Sequence, residues 1–170
     1  MNKIELPKRK KIRLNEYDYG QAGAYFITIC TYNRAQILSK IVGEGLCALP
    51  QINLTPIGEI VKQSIEYINN NYDNVLIDKY VIMPNHVHLI IHIQTGGHVD
   101  PTGGHGDPPL RVYDIIGRFK SFTDGKYNGR LWQRSFYDHI IRDENDYLDV
   151  CNYIDQNPLK WADDCYYTEE

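Results

Sequence analysis

The period of the apolar residues changes along the chain, and it predicts four strands. Residues Ala24 to Tyr32 are rich in β-branched and aromatic side chains, which is typical of a strand. Residues Asn74 to Met83 and His86 to Ile93 predict two further strands, and Pro84-Asn85 predicts the turn or bulge between them. Residues Ser135 to Ile141 predict the last strand.

Three helices are predicted from apolar residues at helical spacing and from capping residues. The first begins at the N-cap Thr55, and its apolar stripe fades at residues 69–71. The second covers Val112 to Phe122. Asp143 caps the third helix, which runs to Asn157 and stops before a proline.

The order of these elements predicts an α+β fold. It is β-α-β-β-α-β followed by one more helix, the order of a ferredoxin-like antiparallel sheet with helices on one face and an added C-terminal helix. A short hairpin is also predicted from Ile41-Val42-Gly43 and Cys47-Ala48-Leu49. The 170 residues fit one domain, with a basic N-terminal arm over 1–20, a flexible Gly/Pro-rich loop over 95–109 and a final helix over 143–157.

The Gly/Pro-rich loop contains a tandem repeat, with TGGHVDP at 95–101 and TGGHGDP at 102–108. This composition cannot pack a core, so a mobile loop is expected. His98 and His105 could bind a metal ion, but ordering such a loop around the ion costs conformational entropy.

Composition restricts the compartment and the class of partner. No apolar run reaches the roughly 18 residues of a transmembrane helix, and residues 1–14 lack the apolar segment of a secretory signal. The four cysteines form no C-x-x-C pair, so we expect reduced thiols, no zinc site built from cysteines and a cytoplasmic protein. The net charge of −4 argues mildly against nucleic acid, but basic residues concentrate in 1–14 and 109–134 and acids in 138–170, which permits a basic face.

The first candidate for chemistry is the pair His86 and His88. Residues i and i+2 of a strand point to the same face, roughly 6–7 Å apart. Two neutral imidazoles in that position can hold one metal ion, and a third group from a nearby element would leave open positions for a substrate oxygen. The alternative is a core strand whose histidines make their hydrogen bonds within the protein and bind no metal ion.

The second candidate is the pair Tyr153 and Asn157, which share one face of the last helix at i, i+4 spacing. Asn157 could supply its amide oxygen as a third ligand, and Tyr153 could lie over the open positions, where a substrate phosphate would bind. A phenol with a pKa near 10 is a poor nucleophile unless it is activated. A divalent cation that binds a phosphodiester would position it for in-line attack, giving a covalent phosphotyrosine. Imidazole and amide ligands suit Mn²⁺ or Mg²⁺. The alternative is that neither residue has a chemical role: Tyr153 is then a half-buried aromatic residue, and Asn157 is an ordinary asparagine at a helix end.

Three blocks of the sequence resemble the signature motifs of the REP-associated tyrosine transposases, part of the HUH single-strand (IS200-like) transposase group. They are VIMPNHVHLI around His86 and His88, LWQRSFYDH at 131–139, and YIDQNP from Tyr153 to Pro158. The resemblance implies that His86 and His88 bind the metal, that Tyr153 is the nucleophile and that Asn157 completes the metal shell. It implies Mg²⁺ or Mn²⁺, and cutting and rejoining of single-stranded DNA at repetitive palindromic hairpins through a 5′-phosphotyrosine.

Affinity for DNA is expected from contacts to phosphates. The best candidates are the basic residues of the arm and of the second half of the chain: Lys8, Arg9, Lys10, Lys11, Arg13, Arg118, Lys120 and Arg134. We expect a monomer or a homodimer and no membrane partner. Two alternatives stay open, namely a catalytically silent ferredoxin-like module that binds single strands, and a metal-dependent hydrolase that uses water and forms no adduct.

Overall fold

The computed structural model describes residues 22–43, 50–94 and 111–167. The regular elements, in chain order, are β1 (Gly23–Cys30), β2 (Ser39–Val42), β3 (Gln51–Leu54), α1 (Pro56–Asn71), β4 (Val75–Ile82), β5 (His86–Ile93), α2 (Val112–Tyr127), β6 (Tyr137–Ile141) and α3 (Glu144–Gln156), with short 3₁₀ turns at Tyr32–Arg34 and Pro158–Asp163. The predicted arm over 1–20, the loop over 95–109 with its two histidines, and Cys47 lie outside the described residues.

The main sheet has four antiparallel strands in the order β4-β5-β1-β6. This confirms the predicted α+β class, since the first strand lies inside the sheet and each helical connection crosses to a strand that is not its neighbour. β4 and β5 form a hairpin, and the Met83 amide donates to the His86 carbonyl at 2.9 Å across the turn at Pro84-Asn85.

The two faces of the sheet follow from the alternation of side chains in the two central strands. One face packs under α1 and α2 and is apolar throughout. Its residues from β1 and β5 are Tyr25, Ile27, Ile29, Val87, Leu89, Ile91 and Ile93. The other face carries Phe26, Thr28, His86, His88 and Ile90, and so both histidines lie on the side away from α1 and α2.

The helix α3 covers this second face. Asp143 caps its N-terminus, as predicted, by accepting from the Asp146 amide at 3.0 Å. Val150 and Ile154 of α3 pack against Phe26 and Ile90 of the sheet. The predicted C-terminal helix is therefore on the face opposite the other two, over the strand that carries the histidines.

Polar contacts between side chains also attach α3 to the strands on either side. Lys79 of β4 pairs with Asp155 at 2.8 Å, and the Tyr147 hydroxyl donates to Asp78 of β4 at 2.8 Å. On the other side, His139 of β6 bonds Asp146 at 2.9 Å. Because the helix has only a narrow apolar stripe, these contacts help to define where it lies on the sheet.

Most boundaries agree with the sequence prediction to within two residues, since β1 ends at Cys30 and β6 begins at Tyr137, but two differ by more. The helix α2 continues past Phe122 to Tyr127, because Thr123 and Asp124 are satisfied inside the folded chain: the Thr123 hydroxyl accepts from Trp132 Nε1 and Asp124 accepts from the Leu131 amide. In the hairpin, β2 pairs with Gln51–Leu54, whereas the partner segment was predicted at 47–49, outside the described residues. The segment 51–54 alternates exposed and half-buried positions, so its apolar signal is weak.

None of the described helices combines the length and apolar character needed to cross a bilayer.

Candidate active site

The imidazoles of His86 and His88 lie side by side on the second face of the sheet. Their Nε2 atoms are 3.0 Å apart and their ring centroids 4.5 Å apart. Both side chains are buried beneath the residues that follow α3. The alternation of side chains along β5 therefore places both predicted ligands on one face, with their Nε2 atoms together.

Hydrogen bonds to the other ring nitrogens orient both rings. Nδ1 of His86 lies 2.9 Å from Oδ1 of Asn85, and Nδ2 of Asn85 donates to the Tyr166 carbonyl. Since Oδ1 of Asn85 is an acceptor, Nδ1 of His86 carries the proton and Nε2 presents a lone pair. Nδ1 of His88 lies 2.8 Å from the Thr28 hydroxyl, which can accept in the same way. Two lone pairs at this separation need a shared proton or a shared cation between them.

Burial disfavours the charged form of both imidazoles. It lowers the pKa of His86 to about 4, and it lowers the pKa of His88 well below its usual value. Both rings are therefore neutral at pH 7, which is the form that binds metal ions.

A carboxylate completes the cluster. An oxygen of Asp164 and one nitrogen of each histidine all lie within 4.8 Å of one another. Asp164 follows the 3₁₀ turn after α3, and its carboxylate accepts from Asn157 Nδ2 at 2.8 Å and from the Tyr166 amide at 2.7 Å. Asp164 was not among the predicted ligands, because an acid in an acidic C-terminal segment carries no distinguishing signal in the sequence.

Asn157 is buried at the C-terminal end of α3. Its Nδ2 is directed to Asp164, and its Oδ1 makes no hydrogen bond to any residue within the described ranges. An unsatisfied buried amide oxygen is costly, so this atom is a further polar group available at the cluster. Two imidazole nitrogens, a carboxylate and this oxygen fit a divalent cation.

Tyr153 comes from the preceding turn of α3 and borders the cluster. Its ring centroid lies 5.1 Å from that of His88 and 5.8 Å from that of Phe26, while 43% of the residue is exposed. Burial of the phenol, helped by the negative charge of Asp164, raises the pKa of Tyr153 to about 12. The hydroxyl is therefore protonated at pH 7, and the side chain is only half-buried.

Of the predicted DNA-contacting residues, the three that the structure describes do not converge on this cluster. Lys8, Arg9, Lys10, Lys11 and Arg13 are outside the described residues. Arg118 is on α2, on the opposite face of the sheet, where it donates to the Tyr72 hydroxyl at 2.8 Å.

The other two predicted basic residues, Lys120 and Arg134, lie at the segment that precedes β6. Nζ of Lys120 donates to the carbonyls of Gln133 and Ser135 at 2.8 and 3.2 Å, and burial lowers the pKa of Lys120 to about 8. Lys120 thus holds the segment that contains the exposed Arg134.

Arg34, a basic residue that was not among the predicted DNA contacts, lies closer to the histidines. The guanidinium of Arg34 is 5.5 Å from the ring centroid of Tyr166 and donates to the Cys165 carbonyl at 3.2 Å. The Tyr166 ring in turn lies 4.7 Å from that of His86. Arg34 therefore places positive charge beside the cluster.

The fold and this cluster define a class of protein: a ferredoxin-like sheet whose central strand presents two histidines to a tyrosine on a C-terminal helix. No family model matches the chain. An uncharacterized protein of Haemophilus influenzae is 35% identical over 95% of this chain and 94% of its own length. A putative REP-associated tyrosine transposase of the same organism is 24% identical over 84% of this chain and 74% of its own length.

Among solved structures, a REP-associated tyrosine transposase bound to a REP hairpin has a TM-score of 0.59 at 22% identity, over 87% of this chain and 74% of that one. The chain belongs to the family of the 35% identical Haemophilus influenzae protein. Its resemblance to the REP-associated tyrosine transposases, expected from the three motifs, is confirmed by the fold and by the second relative.

Proposed function

We propose that the protein is a DNA transposase that cuts and rejoins single-stranded DNA at palindromic hairpins through Tyr153. The observation that carries the proposal is the contact between the Tyr153 ring and His88, whose Nε2 is paired with that of His86. The relative of known fold is named as bound to a REP hairpin, which supports hairpin DNA as the substrate.

His86, His88 and Asp164 would hold a divalent cation, for which we propose Mg²⁺ or Mn²⁺. When bound, such a cation supplies positive charge that polarises and orients a phosphodiester. In this proposal Asp164 takes the place first expected for Asn157. Asn157 orients the carboxylate through its Nδ2 and offers Oδ1 as a further ligand.

The residues of the chain carry the proposed transfer. The Tyr153 oxygen attacks the scissile phosphorus and its proton passes to solvent. The bond between phosphorus and the 3′ oxygen breaks, and that oxygen takes up a proton as a free 3′-hydroxyl. The DNA is left as a 5′-phosphotyrosine, and attack by a 3′-hydroxyl on that phosphorus reverses the steps, so rejoining requires no ATP.

The contact between Tyr153 and His88 lies within one chain. It supports an active site assembled by a single protomer, in a monomer or in each half of a homodimer. We further propose that the protein is located in the cytoplasm, the compartment in which genomic DNA and reduced thiols are found together. Cys30, Cys151 and Cys165 are free, which agrees with that compartment.

The test is a denaturing gel of labelled single-stranded hairpin DNA after incubation with the protein and Mg²⁺ or Mn²⁺. We expect a covalent protein–DNA band that disappears in Tyr153→Phe, because the phenolic oxygen is the attacking atom. Tyr67→Phe, on α1 at the opposite face of the sheet, is the matched control and should keep the band.

The alternatives give different gels. Cleavage that persists in Tyr153→Phe without an adduct would show that water is the nucleophile. Retention of a panel of hairpins in a native gel, without cleavage of any, would show a silent binding module.

A further inference from the structure

An open cavity of about 400 Å³ adjoins Tyr153 between α3 and the strands β1 and β6. Its floor is formed by Phe26 of β1 and by Tyr137 and His139 of β6. Asp149 and Tyr153 of α3 form one wall. The proposed attack on a phosphate leaves this cavity without a role.

The cavity continues directly from the histidine cluster across the sheet. Thr28 pairs in register with His88 on one side and with Tyr137 on the other. Phe26 is paired with His139 in the next row. Tyr137 lies on β6, the strand next to β1 on the side opposite the histidine strand β5. A nucleotide whose phosphate reaches Tyr153 therefore has its base within reach of Tyr137.

Two of the aromatic residues around the cavity, Tyr137 and Tyr153, are partly exposed, and both contact the buried Phe26. The Phe26 ring meets Tyr137 and Tyr153 edge-on, with centroids 6.5 and 5.8 Å apart and interplanar angles of 71° and 86°. Tyr137 is 41% exposed, and so part of its ring is open to a ligand. Planar bases stack on such rings, and the interaction tolerates any base.

Polar groups at the rim suit the rest of a nucleotide. Asp149 is exposed on α3 at the cavity wall, where a carboxylate accepts from the amino group of a base. Nε2 of His139 lies 2.9 Å from the Asp146 carboxylate, and this hydrogen bond fixes the ring that lines the cavity. Arg34, against the Tyr166 ring at the far wall, can meet a backbone phosphate.

We propose that this cavity binds an unpaired nucleobase next to the scissile phosphate, with Tyr137 as the stacking surface and Asp149 accepting from an exocyclic amino group. The inference rests on the proposed function, because Tyr153 defines where the scissile phosphate lies. It predicts that the protein distinguishes cytosine, adenine and guanine from thymine at this one position.

Stacking is tested by binding alone, without cleavage. The probe is a single-stranded pentamer with 2-aminopurine at its centre and thymines around it, titrated with the protein in Mg²⁺. Stacking on Tyr137 should quench the fluorescence, and Tyr137→Leu should weaken the apparent affinity by about 5-fold or more, since a base stack is worth on the order of 1–3 kcal/mol. Tyr67→Leu, at a similarly exposed tyrosine on α1, should match the wild type.

Base choice is tested by competition with pentamers that carry cytosine or thymine at the centre. Cytosine should compete several-fold better with the wild type, and Asp149→Ala, which removes the acceptor, should abolish most of the difference. An equal affinity of Tyr137→Leu and the wild type, or no quenching by either, would overturn the cavity as a base site. A cytosine preference that survives in Asp149→Ala would overturn the role of the carboxylate.

These outcomes are separate from those of the gel assay. A protein that forms the Tyr153 adduct but shows no Tyr137-dependent quenching would keep the proposed function and lose the base site. A protein that shows the quenching but makes no adduct would keep the base site as part of a binding module.

Discussion

At the scale of single residues, the orientation of two imidazoles decides what the cluster can bind. Thr28 and Asn85 each hold an Nδ1, so both Nε2 atoms face one another. The His-x-His spacing was readable from the sequence, because side-chain direction in a strand is a local property. The partners that fix each ring were not readable, since Thr28 reaches His88 from another strand.

Thr28→Val tests this orienting role. Valine has nearly the shape of threonine but offers no oxygen to His88, so we expect a 10- to 100-fold loss of affinity for Mn²⁺, in the range seen for partners of metal ligands. Calorimetric titration of the metal measures it. Thr123→Val is the control, because that hydroxyl accepts from Trp132 far from the histidines and its loss should lower only the melting temperature. Equal metal affinity in wild type and Thr28→Val would refute the role.

A titration of cleavage with Mn²⁺ distinguishes the role of Asp164 from that of Asn157. Asp164→Asn removes the charge that would balance the cation, and we expect it to raise the Mn²⁺ concentration for half-maximal cleavage by about 10-fold or more. Asn157→Ala should raise it less, because that residue acts mainly through Asp164. If Asn157→Ala proves the more damaging change, the amide oxygen is the principal third ligand.

At the scale of elements, close packing sets positions that propensity alone would not. A Cβ at Gly58 of α1 would collide with the Leu38 carbonyl, and the Gly58 amide also donates the capping hydrogen bond to the Thr55 hydroxyl. Glycine is otherwise unfavourable inside a helix. The sequence analysis located α1 from its cap and its stripe, but the need for glycine at that position became visible only with the segment before β2 in place.

Gly58→Ala should therefore destabilise the protein although alanine is the better helix former. We expect a loss of about 1–3 kcal/mol from overpacking against a backbone atom. Gly117→Ala, in α2 with open space around it, is the matched control and should stabilise by up to about 1 kcal/mol. Urea unfolding of both variants measures the effect, and a stabilised Gly58→Ala would show that the helix shifts freely.

At the scale of the whole molecule, the second face of the sheet combines an apolar core with two buried titratable rings. Burial favours their neutral forms, which links folding to pH. Below about pH 6.5 the unfolded chain binds protons that the folded rings, with lowered pKa values, do not bind. Stability contributed by the neutral rings is complete above pH 6.5 and is lost as the pH falls toward 4.

Melting in EDTA should therefore occur at a lower temperature at pH 5 than at pH 7. Asp146 does not act in this window, because its hydrogen bond with His139 lowers its pKa from 3.8 and its contribution is lost only at still lower pH. In His88→Asn the difference between the two pH values should shrink. An unchanged melting temperature from pH 7 to 5 in the wild type would contradict the buried neutral state.

The sequence by itself determined the elements, the order of the four main strands and helices, and the shared face of His86 and His88, since each depends on the period of neighbouring residues. Only the tertiary structure decided that α3 lies over that face, that Asp164 joins the histidines, and that Arg118 lies on the other side of the sheet. These facts depend on packing between residues far apart in the chain, which no local period records.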